Sequence, residues 1–386
     1  MDIGSSRVVV VGGATGGCAA ALLLARAGAR VTLLERVARP RAIGAGLGLA
    51  ENGMAVLEAL GLEAAIGARA RWVAGARIVD GRGRTLLDPG THAPRVWMIR
   101  RGDLQSVLLD AVAAEPGITA RFGTEVMSAR PDGGVTARAG ATQVELAADL
   151  VIGADGVHSR AREGGDFLPA VDWRGIPYLR GLVTGVVATG VEAWTSAGLF
   201  GSFAVEDGTY FYASAGSPRV REAVGVGDLE GFRAAWSRAY PACAPILAAV
   251  ARWDELYVQR VVRVDCRRWH DGRLVLLGDA AHAMAPNLGQ GANSALVDAA
   301  VLLDELLRAP DLTGALAAYQ ARREPAVRRV AATAARLGAL AERTDPISRA
   351  LRDRLLMPIV SRFAGPGGQA AILQETRETL LAIGRS

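Results

Sequence analysis

Arg7–Gly17, RVVVVGGATGG, leaves this chain little freedom in how its fold begins. Val8–Val11 is an unbroken β-branched run, the pattern of a strand buried on both faces in a parallel sheet. A glycine turn follows, and Gly16–Ala27 reads as a helix closed by Gly28 at the C′ position. Val31–Leu34 is a second strand, so Arg7–Arg36 is one βαβ unit. A second stretch, Leu274–Leu303, uses the same parts again: an apolar run, Gly278-Asp279, a corner at Pro286, a Gly-rich turn and a long helical pattern. A dinucleotide needs one glycine turn for its pyrophosphate and a second, distant site for its other half. The pair of motifs points to FAD.

Between and after these motifs the texture changes. Leu104–Ala114 is helical, and Ile118–Ile152 reads as short alternating strands with a turn at Pro131-Asp132-Gly133-Gly134. Asp166–Val264 reads as an antiparallel sheet with helices around Leu229–Tyr240 and Pro241–Ala251. Leu199–Val205 and Thr209–Ala213 are aromatic-containing strands joined by Glu206-Asp207-Gly208. From Ala315 the chain is mostly helical and Arg-rich. The expected fold class is α/β: a Rossmann-like FAD-binding domain (1–71, 96–165 and 265–345) interleaved with an antiparallel-sheet substrate domain (72–95 and 166–264). A C-terminal helical tail (346–386) completes it.

Composition narrows the function. The 386 residues are 51% hydrophobic, ample for a large core, and the net charge is +5. No lysine occurs, so no mechanism can depend on a lysine amine, and no Arg block forms a nucleic-acid tract. Cys18, Cys243 and Cys266 are scattered and lack metal spacing, which suits a reduced cytoplasmic protein without a metal site. No apolar stretch is long enough to span a bilayer, and the N-terminal run is too short for a signal peptide. The amphipathic, cationic segment Ile347–Phe363 either covers the FAD domain or docks on an anionic membrane surface without inserting.

In the first nucleotide site, Gly12 permits the tight turn, Ala14, Thr15 and Gly16 open the helix, and Gly17 lets helix and strand pack closely. Ala14 departs from the usual pattern, because a glycine normally stands there. Glu35 ends the second strand at the spacing of an acid that binds ribose hydroxyls and would repel a 2′-phosphate. At the second site Asp279 follows a strand, where it can accept hydrogen bonds from a polyol chain. Pro286, Gly289, Gly291, Ala292 and Asn293 then form a rigid corner and a glycine-lined helix start that can face an anionic ring edge. A plainer reading makes Asp279 a helix cap and His282 a packed core histidine. Gly153–Arg160, GADGVHSR, offers Asp155 and Arg160 to a pyrophosphate, or else Asp155 caps a helix beside a solvated Arg160.

GGATGG, GADGVHSR and GDAAHAMAPNLGQGAN, in this order, resemble the single-component FAD-dependent aromatic hydroxylases typified by para-hydroxybenzoate hydroxylase. The resemblance covers nearly the whole chain. It implies that Asp279 lies on the ribityl chain and Pro286 beside the isoalloxazine. It also implies that Arg101 in MIRRGDL reaches the flavin side of the cofactor, and that RAIGAGLGLAEN, Arg41–Asn52, passes near the ring. Arg36, Arg41, Gln105 and Val126 join the expected cofactor contacts.

The chemistry implied by that resemblance is monooxygenation. NADPH or NADH reduces the flavin without a nucleotide fold of its own, which agrees with the lack of a second fingerprint. A flavin C4a-hydroperoxide then delivers one oxygen atom of O₂ to an aromatic or polyketide-like small molecule. The protein contributes positioning and water exclusion rather than a covalent nucleophile. No catalytic residue is identified: of the histidines, His158 and His282 belong to cofactor motifs, His270 sits in a polar turn, and His92 has no assigned role. Tyr210 and Tyr212 share one strand face with Phe211 on the other, so Phe203, Tyr212 and Pro286 are expected to line the substrate pocket. Few charges lie near these aromatics, which suggests a bulky, weakly charged ring. The enzyme is expected to be a monomer or homodimer. A flavin-dependent dehydrogenase or reductase, and a non-catalytic flavin-binding module, are the competing readings; a halogenase would need the missing lysine.

Overall fold

The computed structural model describes residues 3–39, 45–88, 90, 95–188, 190–357 and 375–383. Arg7–Val11 stands inside a six-stranded sheet, with Arg30–Glu35 on one side and Leu150–Gly153 on the other, both parallel to it. Ile118–Phe122 extends the sheet beyond Arg30–Glu35, and Leu274–Leu276 extends it beyond Leu150–Gly153, again in parallel. Val8 to Val11 are buried on both faces, as their β-branched run requires. The chain leaves Arg7–Val11 toward one neighbour and returns later on its other side. That makes the carboxyl end of this strand a topological switch point, where open α/β sheets form ligand crevices. Val11, Glu35, Gly153 and Leu276 all end at that edge.

Two helices close one face of the sheet against a single core. Thr15–Arg26 and Gly291–Arg308 pack together through small and aliphatic residues, among them Ala19, Leu22, Leu296 and Ala299. The first ends as its sequence predicts, with Gly28 in the left-handed region at φ +95°.

The aromatic strands belong to a seven-stranded sheet built from Arg77–Asp80, Thr85–Leu87, Pro177–Thr184, Val191–Trp194, Leu199–Val205, Gly208–Ser214 and Tyr257–Arg260. It is antiparallel except where Val191–Trp194 runs parallel to Arg77–Asp80. Its two faces differ. Leu179, Ala193, Phe200 and Phe211 point into a second core closed by Pro218–Val226 and Leu229–Ala239. Tyr178, Arg180, Glu192, Trp194, Phe203, Tyr210 and Tyr212 alternate onto the opposite face. The helix Pro218–Val226 was not anticipated, and Pro241–Ala251 is a short 3₁₀ turn followed by Ala244–Ala248 rather than one helix.

The long helix Leu312–Ala341 runs from the His270–Asp271 edge of the first sheet to the Trp194-bearing face of the second. The following segment is anchored by Arg352, fully buried, whose guanidinium donates to the carbonyls of Leu340, Ala341 and Trp194. It therefore packs on the sheet bearing Trp194, and not over the FAD-binding core as the sequence suggested, while Ile347, Leu351 and Leu355 remain exposed. The last helix, Arg377–Ile383, covers the nucleotide-binding side instead, with Leu380 and Ile383 buried in the first core.

Candidate functional site: a dinucleotide crevice beneath an aromatic sheet face

At the first glycine turn the predicted packing is present. Gly12 adopts φ +102°, and an added Cβ there would collide with Ala154. A Cβ on Gly17 would collide with the Gly12 carbonyl oxygen, so helix Thr15–Arg26 can approach the strand only with glycine at that position. Ala14 is the N-cap and lends no side-chain hydrogen bond, which leaves the first-turn N–H groups for an anion. Glu35 reaches back across the turn and accepts from Gly13 N and Val37 N, each at 2.8 Å. Gln105 donates to the Gly13 carbonyl at 2.6 Å, and the Cys18 thiol donates to the same carbonyl at 3.2 Å. Gln105 and Glu35 thus grip the turn from two sides. Arg36 is exposed beside it, Val126 is buried in the strand Thr124–Ala129, and Arg41 lies outside the described residues.

The second site is built around a strained corner. Gly278 has φ +59° and ψ −142°, a conformation essentially reserved for glycine and the kind that clusters at functional sites. It is the N-cap of Asp279–His282, so Asp279 is the first helical residue and not the cap. The Asp279 carboxylate makes no hydrogen bond to the protein among the described residues. Solvent reaches it from the crevice, while the protein crowded around it lifts its carboxyl above the ordinary range, opposed by His282, Arg101 and Arg180. A free acceptor beside Gly291, at the start of an 18-residue helix, suits a polyol chain leading to an anionic ring.

Behind this corner lies a buried network. Asp298 accepts from Gly278 N at 2.9 Å and contacts His282 Nε2 at 2.6 Å, while its other oxygen accepts from Arg323 Nε at 2.8 Å. Burial alone would raise the Asp298 carboxyl, but His282, Arg323 and the Gly278 amide outweigh it and hold Asp298 down at about 2. His282 is a packed core histidine whose ring lies tilted against Trp269, centroids 4.8 Å apart, as the plainer reading of that residue has it.

The Asn293 side chain has a structural duty that its sequence did not indicate. Its Oδ1 accepts from Ala50 N, and its Nδ2 donates to the carbonyls of Gly48 and Gly289. The side chain is fully committed to clamping the strand Gly46–Leu49 onto the Pro286–Leu288 turn. Only the backbone N–H groups of Gly291, Ala292 and Asn293 are left to face a ligand. Asp155 likewise caps: it accepts from Ser159 Oγ, Arg160 N and Ala161 N at the start of Arg160–Glu163. Arg160 is exposed and pairs with Glu163, and His158 stacks on Trp173 at 4.9 Å.

The aromatic sheet face meets this crevice. Tyr210 lies against Gly46, and Arg101 and Arg180 both act on the Asp279 and Tyr210 side chains. Phe203 and Tyr212 lie on that face with ring centroids 6.1 Å apart. The sequence suggested few charges nearby, but Arg180 and Glu192 share the face. Both sit at the polar phase of alternating strands, where nothing local distinguishes a solvent face from a site face.

A free carboxylate at one strand tip, an acid-gripped glycine turn at another, and two helix N-termini at one sheet edge define an FAD-binding enzyme. The comparisons agree. The family model described as "FAD binding domain" matches residues 5–168 and 231–334. Aurachin C monooxygenase/isomerase of Stigmatella aurantiaca is 31% identical, with 90% of this chain and 93% of that protein covered. 3-Amino-4-hydroxybenzoate 2-monooxygenase of Streptomyces cremeus is 33% identical over 77% of each chain. Among solved structures, a tetrameric form of 2-methyl-3-hydroxypyridine-5-carboxylic acid oxygenase superposes with a TM-score of 0.77 at 25% identity, covering 93% of this chain and 96% of that one. The chain belongs to the FAD-binding-domain family of aromatic monooxygenases, and it is an FAD-dependent monooxygenase. Among the described residues no helix is long and apolar enough to cross a membrane.

Proposed function

We propose that this enzyme hydroxylates an electron-rich aromatic ring carrying an amino or hydroxyl group, or a ring nitrogen, with NADPH or NADH as reductant. The observation that carries this reading is the meeting of the Asp279 crevice with the aromatic face of Phe203, Tyr210 and Tyr212. The printed names of two relatives, which specify an amino-hydroxybenzoate and a hydroxypyridine, support the ring class. The division of labour follows the two sheets: 1–71, 96–165 and 265–345 bind FAD, and 72–95 with 166–264 hold the substrate.

Bound FAD supplies the electrons taken from the nicotinamide cofactor and the activation of O₂. The chain's own residues do the rest. Glu35 would hold the ribose hydroxyls, and the first turn of Thr15–Arg26 would receive the pyrophosphate. Asp279 accepts from the polyol chain. The N–H groups of 291–293, at the positive end of their helix, stabilise negative charge at the ring edge. Arg101 and Arg180 add positive charge on the same side. Pro286 and the aromatic face exclude water from the reacting carbon. The enzyme works as a monomer or homodimer in the cytoplasm.

The test is direct. Denatured protein is expected to release FAD, and ¹⁸O₂ supplied with NAD(P)H and the ring substrate should place one labelled atom in the product. Product formed without label, or without oxygen, makes the chain a dehydrogenase instead.

A further inference from the structure

The Pro286–Leu288 turn and the site face of the seven-stranded sheet leave a partly open space between them. A cavity of about 180 Å³ lies between the site face of the seven-stranded sheet, the Pro286–Leu288 turn and the end of helix Leu312–Ala341. That is smaller than the roughly 300–1,000 Å³ of pockets that enclose drug-sized ligands, and suits one edge of a ring. Ala76, Ile78, Leu288 and Leu337 make its walls apolar. Among the described residues lining it, Glu192 alone carries a charged side chain.

Two donors fix that carboxylate. Trp194 Nε1–H donates to Oε1 at 2.7 Å, and Tyr212 Oη–H donates to Oε2 at 2.6 Å. An indole N–H can only donate, so Oε1 must accept, and each oxygen keeps a further lone pair. Burial lifts the Glu192 carboxyl above the ordinary carboxylate range, with Tyr212 and Trp194 pulling it back, which makes it a stronger proton acceptor than a surface glutamate. Burial and the Glu192 charge together push the Tyr212 hydroxyl well above its ordinary range, so it stays protonated and keeps donating. The result is a rigid acceptor with unused capacity in the wall of a largely apolar cavity.

We propose that Glu192 orients the substrate: it accepts a hydrogen bond from an N–H or O–H at the edge of the aromatic ring. It thereby selects rings with a donor at that edge against rings bearing a carboxylate or an alkylated heteroatom there. A carboxylate would face a like charge between apolar walls, and a methylated heteroatom would leave the glutamate's free lone pairs unpaired. This rests on the aromatic-hydroxylase reading and adds to it which edge of the ring enters first.

The experiment uses the FAD-loaded enzyme with phenols, anilines, hydroxypyridines and 4-quinolones, each paired with its O- or N-methylated counterpart. Binding is read from perturbation of the flavin absorption spectrum, and oxygen insertion from ¹⁸O₂. The wild type should bind the donor-bearing member of the tightest pair about tenfold or more better than its methylated partner. Glu192→Gln and Glu192→Ala should erase most of that gap by weakening the donor-bearing ring. Equal binding of both members by the wild type, binding by no pair, or a gap that survives both substitutions overturns the assignment. The wild-type comparison stands whether or not the variants fold. Discrimination in binding without label in any product overturns the hydroxylase reading and leaves Glu192 in place.

Discussion

Asp279 shows what one side chain can reveal when its neighbours decline to bond it. The cap of its short helix is Gly278, and no protein donor reaches its carboxylate among the described residues. Asp279→Ala should therefore leave the fold nearly as stable while weakening FAD binding by about 1.5–3 kcal/mol, the worth of a hydrogen bond to a charged group. Flavin fluorescence titration beside thermal unfolding of the apo-protein checks this, and a large loss of apo stability with unchanged FAD affinity would count against it. Asp279 and Glu35 were legible in the sequence because each ends an apolar strand run. Glu192 was not: in Val-Glu-Ala-Trp it occupies the phase that normally faces water, and only the fold shows which side of that sheet meets the crevice. The sequence pointed to the backbone N–H groups near Asn293 but said nothing of its side chain, since sequence position cannot show that three backbone groups engage it.

At the scale of elements, Asp298 binds four pieces together. It sits on Gly291–Arg308, holds the corner after Leu274–Leu276 through Gly278, and meets Asp279–His282 through His282 and Leu312–Ala341 through Arg323. Removing one partner of such a buried set typically costs about 3–5 kcal/mol, so Asp298→Asn should lower stability by that order. The pH dependence has a definite sign. Asp298 is held at about 2, below its value in an unfolded chain, so its contribution is complete above roughly pH 4 and is lost as the pH falls through 2. The stability difference between wild type and Asp298→Asn, followed by denaturant unfolding, should shrink as the pH falls from about 4 through 2. A constant difference down to pH 2 would show that the ionised carboxylate is not what joins these elements. The strands and the two long helices around this network were readable from hydrophobic period. The helix Pro218–Val226 was overlooked although its signals were present: Ser217 caps it, Pro218 opens it and Gly227 closes it at φ +71°.

On the scale of the whole molecule, two cores back two sheets, an α/β architecture that the changing texture of the sequence foretold in outline. What it could not foretell was how the C-terminal helices distribute themselves, because amphipathic segments state only that they cover something. The same burial that builds the cores hides the three cysteines. Burial pushes Cys18 and Cys243 to about 12 and Cys266 to about 11. At neutral pH thiolate is then on the order of one molecule in ten thousand or fewer, and thiolate is the form that oxidants attack. A disulfide reagent should find no reactive thiol in the native enzyme and three after denaturation; rapid labelling of the native protein would show that a thiol is open to solvent. Flavin enzymes that meet oxygen without a substrate leak hydrogen peroxide, and Cys18 lies against the very turn expected to hold the cofactor. With its sulfur locked as a thiol donating to Gly13, the catalyst is armoured against its own exhaust.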